Sequence, residues 1–172
     1  MLIIAQKCKL LSLDTSSSKT GWAYFVNAKY KKSGVIDLDT KECKKEYKSN
    51  SDKRIKDMCS AVWSLLQKYK PDIIVIEKLN VSRNMNAVRV LSKVIGAVYT
   101  YYVLADNCYY FEIQPTQWRS QLCMQSGRKK RDELKKISIE YVKNTLGIDV
   151  TDDEADSICA GIAYIKMFTP EK

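Results

Sequence analysis

Apolar residues along the chain fall into runs of two kinds. Residues 9–14 (KLLSLD), 22–26 (WAYFV) and 34–38 (GVIDL) are short and joined by small or polar residues. That pattern predicts three strands in an antiparallel meander. The stretch 15–20 (TSSSKT) is the first turn, and Gly21 follows it. Further on the spacing changes. Ile55, Met58, Cys59, Val62, Trp63, Leu65, Leu66 and Tyr69 recur at helical intervals, and Pro71 stops that helix. Residues 72–77 (DIIVIE) place four consecutive apolar residues before Glu77, the pattern of a strand covered on both faces.

A long helical pattern occupies 84–105, with Val88, Leu91, Val94, Ile95, Val98 and Tyr102 inward. Residues 109–113 (YYFEI) form another strand, closed by Pro115. Residues 116–147 are basic and mostly helical, with Gly147 as C-cap. The last helix opens at Thr151, where Thr151 and Glu154 fit a capping box. The order is β-β-β-α-β-α-β-α-α, a mixed sheet covered by helices in one α/β layer structure. The intervening 41–57 carries seven basic and four acidic residues, so it reads as a solvated lead-in to the helix. Repeats, low-complexity tracts and inter-domain linkers are absent from the pattern.

Composition narrows the function classes. At 172 residues, 45% hydrophobic and 28% charged, the chain has an ordinary globular make-up and excludes wholesale disorder. Lys and Arg number 29 against 20 Asp and Glu, and the surplus of +9 favours a polyanionic partner, nucleic acid first. Six cysteines without a CxxC pair, and no histidine, remove the usual zinc sites. They read as reduced thiols, several in the core. The missing His also removes Ser-His-Asp and Cys-His catalysis, so hydrolysis would run on carboxylates, lysines or a metal ion. The start, MLIIAQKCKLLSLD, has lysines inside its apolar run and does not fit a secretory signal. The longest apolar stretch, Val94 to Ala105, is about half of a membrane span. A soluble, cytoplasmic protein without a membrane partner is expected.

Two strands end in a carboxylate after an apolar run, at Asp14 and at Glu77. Ligands bind at the carboxyl ends of strands in open α/β sheets. If the two strands are parallel neighbours, both carboxylates enter one cleft. Asp153 and Asp156 lie three apart on the last helix and so near one face. Four carboxylates meeting without a cation repel one another, and an oxygen-only donor set points to Mg²⁺ or Mn²⁺. Singly, each has a plainer reading. Asp14 fits an Asx turn, Glu77 a strand-end charge, and Asp152, Asp153 and Glu154 the positive end of a helix, worth about 0.3–1 kcal/mol each. Asp156 lies past the first turn and interrupts a small, apolar stretch, which those readings do not cover. Asp152 competes with Asp153, because Asp152 and Asp156 also share a face.

Three motifs together resemble the RuvC-type Holliday junction resolvases of the RNase H-like superfamily. The run LLSLDTSSSKTGWAYF resembles their first hairpin, DIIVIEKL their fourth strand and its Glu, and DDEADSICAGIAY their last helix. The order and spacing match across almost the whole chain. The resemblance implies an RNase H-like mixed five-stranded sheet, three antiparallel strands then two parallel, flanked by helices. It implies one nuclease domain over 1–172. It further implies a two-metal centre in which Asp14 bridges both ions and Glu77, Asp153 and Asp156 complete the shells. The family's Asp-x-x-Asp spacing selects Asp153 over Asp152. Two Mg²⁺ ions per site, with Mn²⁺ as the alternative, would activate a water and stabilise the leaving 3′ oxygen, yielding 5′-phosphate and 3′-hydroxyl ends. The short, lysine-rich, His-free character suits a phage-type branch.

Two segments are candidates for holding DNA. Residues 127–136 (GRKKRDELKK) carry net +4, and Arg128, Lys129, Lys130 and Arg131 would meet phosphates. Equally, this segment reads as a solvated helix start. After Glu77, Lys78, Arg83, Asn84 and Arg89 face the other candidate surface. In the resemblance, family basic residues fall near Lys130 or Arg131 and near Arg119. Well-known members also carry an aromatic wedge after the strand Glu, where this chain has Leu79, Asn80 and Val81. The wedge is therefore not implied here. Tyr99, Tyr101, Tyr102, Tyr109 and Tyr110 read as packing residues rather than base-stacking platforms.

The expected function is a structure-selective endonuclease nicking four-way junctions symmetrically. One chain supplies one acidic centre, so a homodimer is expected, with 84–105 as its face or, failing that, as intramolecular core. The alternatives are an RNase H-like nuclease for other branched DNA or RNA–DNA hybrids, a nucleic-acid-binding module without catalysis, and an ATPase-like nucleotide domain.

Overall fold

The computed structural model describes residues 8–48, 50–79, 85–124 and 129–168. Five strands form one sheet: β1 (Lys9–Asp14), β2 (Lys19–Val26), β3 (Lys29–Asp37), β4 (Ile73–Glu77) and β5 (Tyr109–Ile113). Their order is β3-β2-β1-β4-β5. β1–β2 and β2–β3 are antiparallel, and β1–β4 and β4–β5 are parallel. The three-antiparallel, two-parallel expectation holds.

The two central strands are apolar on both faces because helices cover both sides. From β1 and β4, Leu11, Leu13, Ile74 and Ile76 pack with Met58, Val62 and Leu66 of α2 (Ser51–Tyr69). Val94 and Val98 of α3 (Met85–Leu104) join the same layer. Leu10, Ile73 and Val75 face the opposite layer with Trp118 of α4 (Pro115–Gln121) and Val142 of α5 (Arg131–Leu146). Ile158 of α6 (Asp152–Phe168) completes that layer. The buried hydroxyl of Ser12 ties β1 to α6 by donating to Ser157 O at 2.7 Å. Gly161 makes the approach possible, since a Cβ there would lie 2.7 Å from Ser12 Oγ and 2.4 Å from the Phe25 ring.

Several boundaries differ from the sequence expectation. β3 begins at Lys29 rather than Gly34, because a two-residue turn at Asn27 and Ala28 (φ 53° and 62°) sends KYKKS back against β2. Within the solvated 41–57 stretch a short helix, α1 (Lys41–Tyr47), precedes α2. It buries no residue, and Thr40 caps it by accepting from Cys43 N at 3.2 Å. The 116–147 stretch divides into α4 and α5, and Cys123 adopts φ 55° just after α4. Gly147 caps α5 in the left-handed conformation, as expected. The capping box read at Thr151 and Glu154 is not formed among the described residues. Glu154 instead accepts from Ser33 Oγ at 2.6 Å, which fastens the helix start to β3.

By length and composition α3 is long and apolar enough to cross a membrane, although its longest unbroken apolar run is shorter. It buries only Val94 and Val98, while Met85, Tyr99, Val103 and Leu104 are exposed. Of the tyrosines, Tyr99, Tyr102 and Tyr110 contact one another, and Tyr101 packs edge-on against Trp63 at 5.6 Å.

Candidate active site

Parallel pairing decides where the first two carboxylates meet. Leu13 pairs with Ile76, so the next residues along each strand, Asp14 and Glu77, emerge side by side at the carboxyl edge of the sheet. They line one cleft of about 210 Å³ together with Thr15, Lys78 and Leu79 and with Ala87, Val88 and Leu91 of α3. The turn after Asp14 is organised by Ser16, whose Oγ accepts from Lys19 N at 2.8 Å and donates to Lys19 O at 2.5 Å. Ser16, not Asp14, thus performs the Asx-type turn role.

The last helix is brought to the same edge by a glycine. Gly21 is the cross-strand partner of Asp14. A Cβ on Gly21 would lie 1.9 Å from the carbonyl oxygen of Asp153, so only glycine lets α6 begin here. Asp153 therefore stands beside the Asp14 pair, with Asp156 one turn later on α6.

The Asp14 carboxyl senses each of the other three. Burial, then Glu77, Asp156 and Asp153 in turn, push the Asp14 carboxyl well above the usual carboxylate range, and Arg131 opposes them. Glu77 is raised by burial and by Asp156, against a lowering from Trp118, Arg119 and Arg131. Asp156 is raised by burial in spite of the Ser138 hydroxyl and Arg119. The competing pair on α6 differs in its partners. Asp152 is bonded to Lys135 of α5 and held below the usual range by it. Asp153 is raised by burial and by Asp152. Asp152 is thus engaged by Lys135, although its charge still raises Asp153 and Asp156, while Asp153 in turn raises Asp14 and Asp156.

Two residues of α4 complete the site. Ile113 is the β5 partner of Glu77, and Lys78 N donates to Ile113 O at 2.9 Å. Pro115 then starts α4 at once, with the fixed φ that suits a first helical position. This brings fully buried Trp118 under Glu77, where its Nε1 donates to Oε2 at 3.3 Å. The Arg119 guanidinium stacks 4.3 Å from the Trp118 ring centroid and lies 3.9 Å from Asp156 Oδ2. Both charged side chains are about 15% exposed, at 14% and 15%, so the pair is largely desolvated. Asp156 Oδ1 and Arg119 Nε are buried without hydrogen-bond partners. Sequence reasoning singled out Arg119 but missed Trp118. The nearest signal was Pro115 directly after a strand that pairs with Glu77.

Among the described residues no three acidic or cysteine side chains are drawn together tightly enough to cage an ion. The donor set still fits a hard divalent cation. It is all oxygen, it lies at one edge of the sheet, and Asp156 Oδ1 is a buried acceptor with no donor.

The candidate DNA-binding residues fall in three groups. Lys78 borders the cleft, and the charge of Arg131 at the start of α5 reaches Asp14 and Glu77. Lys129 and Lys130 are exposed beside Arg131, and Lys130 N donates to Glu133 Oε2 at 3.0 Å to close the first turn. Arg83 and Arg128 lie outside the described residues. The six cysteines are free, with Cys108 and Cys159 in the core.

A mixed five-stranded sheet flanked by helices, with acidic side chains at the ends of two parallel strands, defines the class as an RNase H-like resolvase fold. Solved structures share it. T. thermophilus RuvC in complex with a Holliday junction substrate superposes with a TM-score of 0.69 at 13% identity, over 92% of this chain and 93% of that one. The yeast mitochondrial Holliday junction resolvase gives 0.60 at 15% identity, over 96% and 80%. Fowlpox virus resolvase with its Holliday junction DNA gives 0.59 at 17% identity, over 92% and 97%. The crossover junction endodeoxyribonuclease RuvC of Hydrogenovibrio crunogenus is 25% identical over 177 residues, 98% of this chain and 96% of the relative. The family model for crossover junction endodeoxyribonuclease RuvC matches residues 10–162. The chain belongs to that family. It is an endodeoxyribonuclease, of a family that depends on divalent metal ions.

Proposed function

We propose that this chain nicks four-way DNA junctions symmetrically, as a homodimer in which residues 1–172 of each copy act as one nuclease domain. The observation that carries the reading is the mutually repelling acidic group of Asp14, Glu77, Asp153 and Asp156 at one edge of the sheet. Such a group is costly unless cations occupy it. Asp14 is assigned the bridging position, and the other three complete the two coordination shells. Two Mg²⁺ ions, or Mn²⁺ in their place, would supply an activated water and a counter-charge for the leaving 3′ oxygen.

The chain's own residues do the rest. Ser16 frees the Asp14 carboxylate by taking over the turn. Lys135 removes Asp152 from competition. Lys78, Arg119 and Arg131 are assigned to the scissile phosphate and its neighbours, with Lys129 and Lys130 along the flanking backbone. Arg83 and Arg128 are assigned to the same surface on sequence alone. Cleavage would leave 5′-phosphate and 3′-hydroxyl ends. Two cuts related by a twofold axis need two such centres, and the exposed apolar residues of α3 are the proposed face between copies.

The test is a cleavage panel of four-way junction, flap, D-loop and hybrid substrates, with and without Mg²⁺, run on wild type and Asp14→Asn. Junction cleavage should require the ion and fall by at least a hundredfold in the variant, while junction binding persists. An Asp14→Asn protein that cuts normally overturns the assignment. The same preparation should sediment as a dimer at micromolar concentration, and a monomer that still nicks symmetrically overturns the two-chain part.

A further inference from the structure

A glutamate has three side-chain torsions, so as a ligand it works only when something holds it. In this chain the residue that holds Glu77 is an indole. Trp118 is fully buried, and its ring position is set from two sides. Beneath it lies the core layer built by β1, β4 and α6, and above it sits the Arg119 guanidinium, 4.3 Å from the ring centroid. From that fixed seat Nε1–H reaches Glu77 Oε2 at 3.3 Å. An indole N–H only donates, so the contact favours the ionised carboxylate and engages one oxygen. The other oxygen remains for the cleft that Glu77 lines with Asp14.

We propose that Trp118 is a positioning residue for Glu77: its indole N–H tethers one carboxylate oxygen and so presents the other to the divalent ion. This rests on the reading of Glu77 as an ion ligand. Partners that orient a ligating side chain commonly contribute about 10–100-fold to metal affinity. Arg119, stacked on the same ring and paired with Asp156, extends the arrangement to a second carboxylate.

The experiment is calorimetric titration of the DNA-free protein with Mg²⁺ alone, in a double-mutant cycle of Trp118→Phe and Glu77→Gln. Trp118→Phe should weaken Mg²⁺ binding about tenfold in the wild-type background and add nothing in the Glu77→Gln background. Equal losses in both backgrounds mean that the indole supports the fold generally, and they overturn the proposal. Glu77→Gln weakening Mg²⁺ binding while Trp118→Phe does not also overturns it, and leaves the ligand reading standing. Unchanged binding in Glu77→Gln defeats the ligand reading itself, and the proposal with it. Wild type alone supplies a second measurement in case Trp118→Phe does not fold. The chain has three tryptophans, hence three indole N–H resonances. The Trp118 resonance should move on Mg²⁺ addition, and the resonance of an uninvolved indole should not. A Trp118 signal that ignores the ion overturns the tether.

Discussion

Asp14, Glu77, Asp153 and Asp156 hold their protons more tightly in the folded chain than in the unfolded one. The sign of the pH dependence follows. A carboxyl raised on folding contributes stability that is present below its unfolded pKa and lost as pH rises through its folded pKa. Without divalent ions, the melting temperature should therefore rise as pH falls from neutrality towards the ordinary carboxylate range near 4. Asp37 and Asp152 act the other way, since the Asp39 N–H and Lys19 hold the first low and Lys135 the second, and their contribution is lost at still lower pH. Melts from pH 7.5 to 4.5 in chelator should show the rise, and Asp14→Asn should flatten it. A melting temperature that falls steadily over that interval contradicts a repulsive centre. The strand-end carboxylates were legible in the sequence because a charge after a run like IIVIE stands out. The choice between Asp152 and Asp153 was not, since it depends on Lys135 arriving from another helix. Trp118 was invisible because an indole's partner across the fold leaves no mark in a one-dimensional pattern.

Among the elements, the ones that pack apolar faces were readable and the ones held by main-chain pairing or charge were not. β3 extends over KYKKS, an edge strand whose lysines look like a loop although its backbone pairs with β2 on either side of an irregularity that skips Lys31. α1 has no buried residue and thus no apolar stripe to detect; its cap and the Lys44–Asp39 and Lys53–Glu46 ion pairs accompany it. By contrast α2, β4 and α6 carry core residues at the expected periods and appear where anticipated. The seam between β2 and α6 gives an element-scale prediction. Gly21→Ala places a methyl group against the Asp153 carbonyl, so backbone must shift. Urea unfolding should show a loss of about 3 kcal/mol, and cleavage should fall with it as Asp153 and Asp156 move off the Asp14 pair. Gly96→Ala on α3 meets nothing within 4 Å and is the matched control. It should gain about 0.5–1 kcal/mol. Equal losses for the two would remove the special role of the seam.

For the whole molecule, the +9 surplus sits against an acidic centre, so basic surface and carboxylate cluster have separate duties. Lys129 and Lys130 are exposed and leave the cluster untouched. Reversing both to Glu should weaken DNA binding and make the plot of log K against log salt shallower by about two phosphates' worth, near 1.8, with kcat at saturating DNA nearly unchanged. An unchanged slope returns the two lysines to ordinary solvated positions. The overall architecture followed from run lengths and their order. What the pattern could not convey is distance between elements, such as the seat of α4 beside Glu77.

Mounting Asp14 and Glu77 on β1 and β4 has a consequence for how the molecule wears out. These strands are the sheet's centre, and Leu11, Leu13, Ile74 and Ile76 are fully enclosed. Enclosed central strands open only with global unfolding, so Asp14 and Glu77 should share the fate of the slowest-exchanging backbone. Fraying at β3 or at α1 should leave them undisturbed. Thermal ageing should therefore loosen the sheet's outer edge well before it displaces the two strand-end carboxylates.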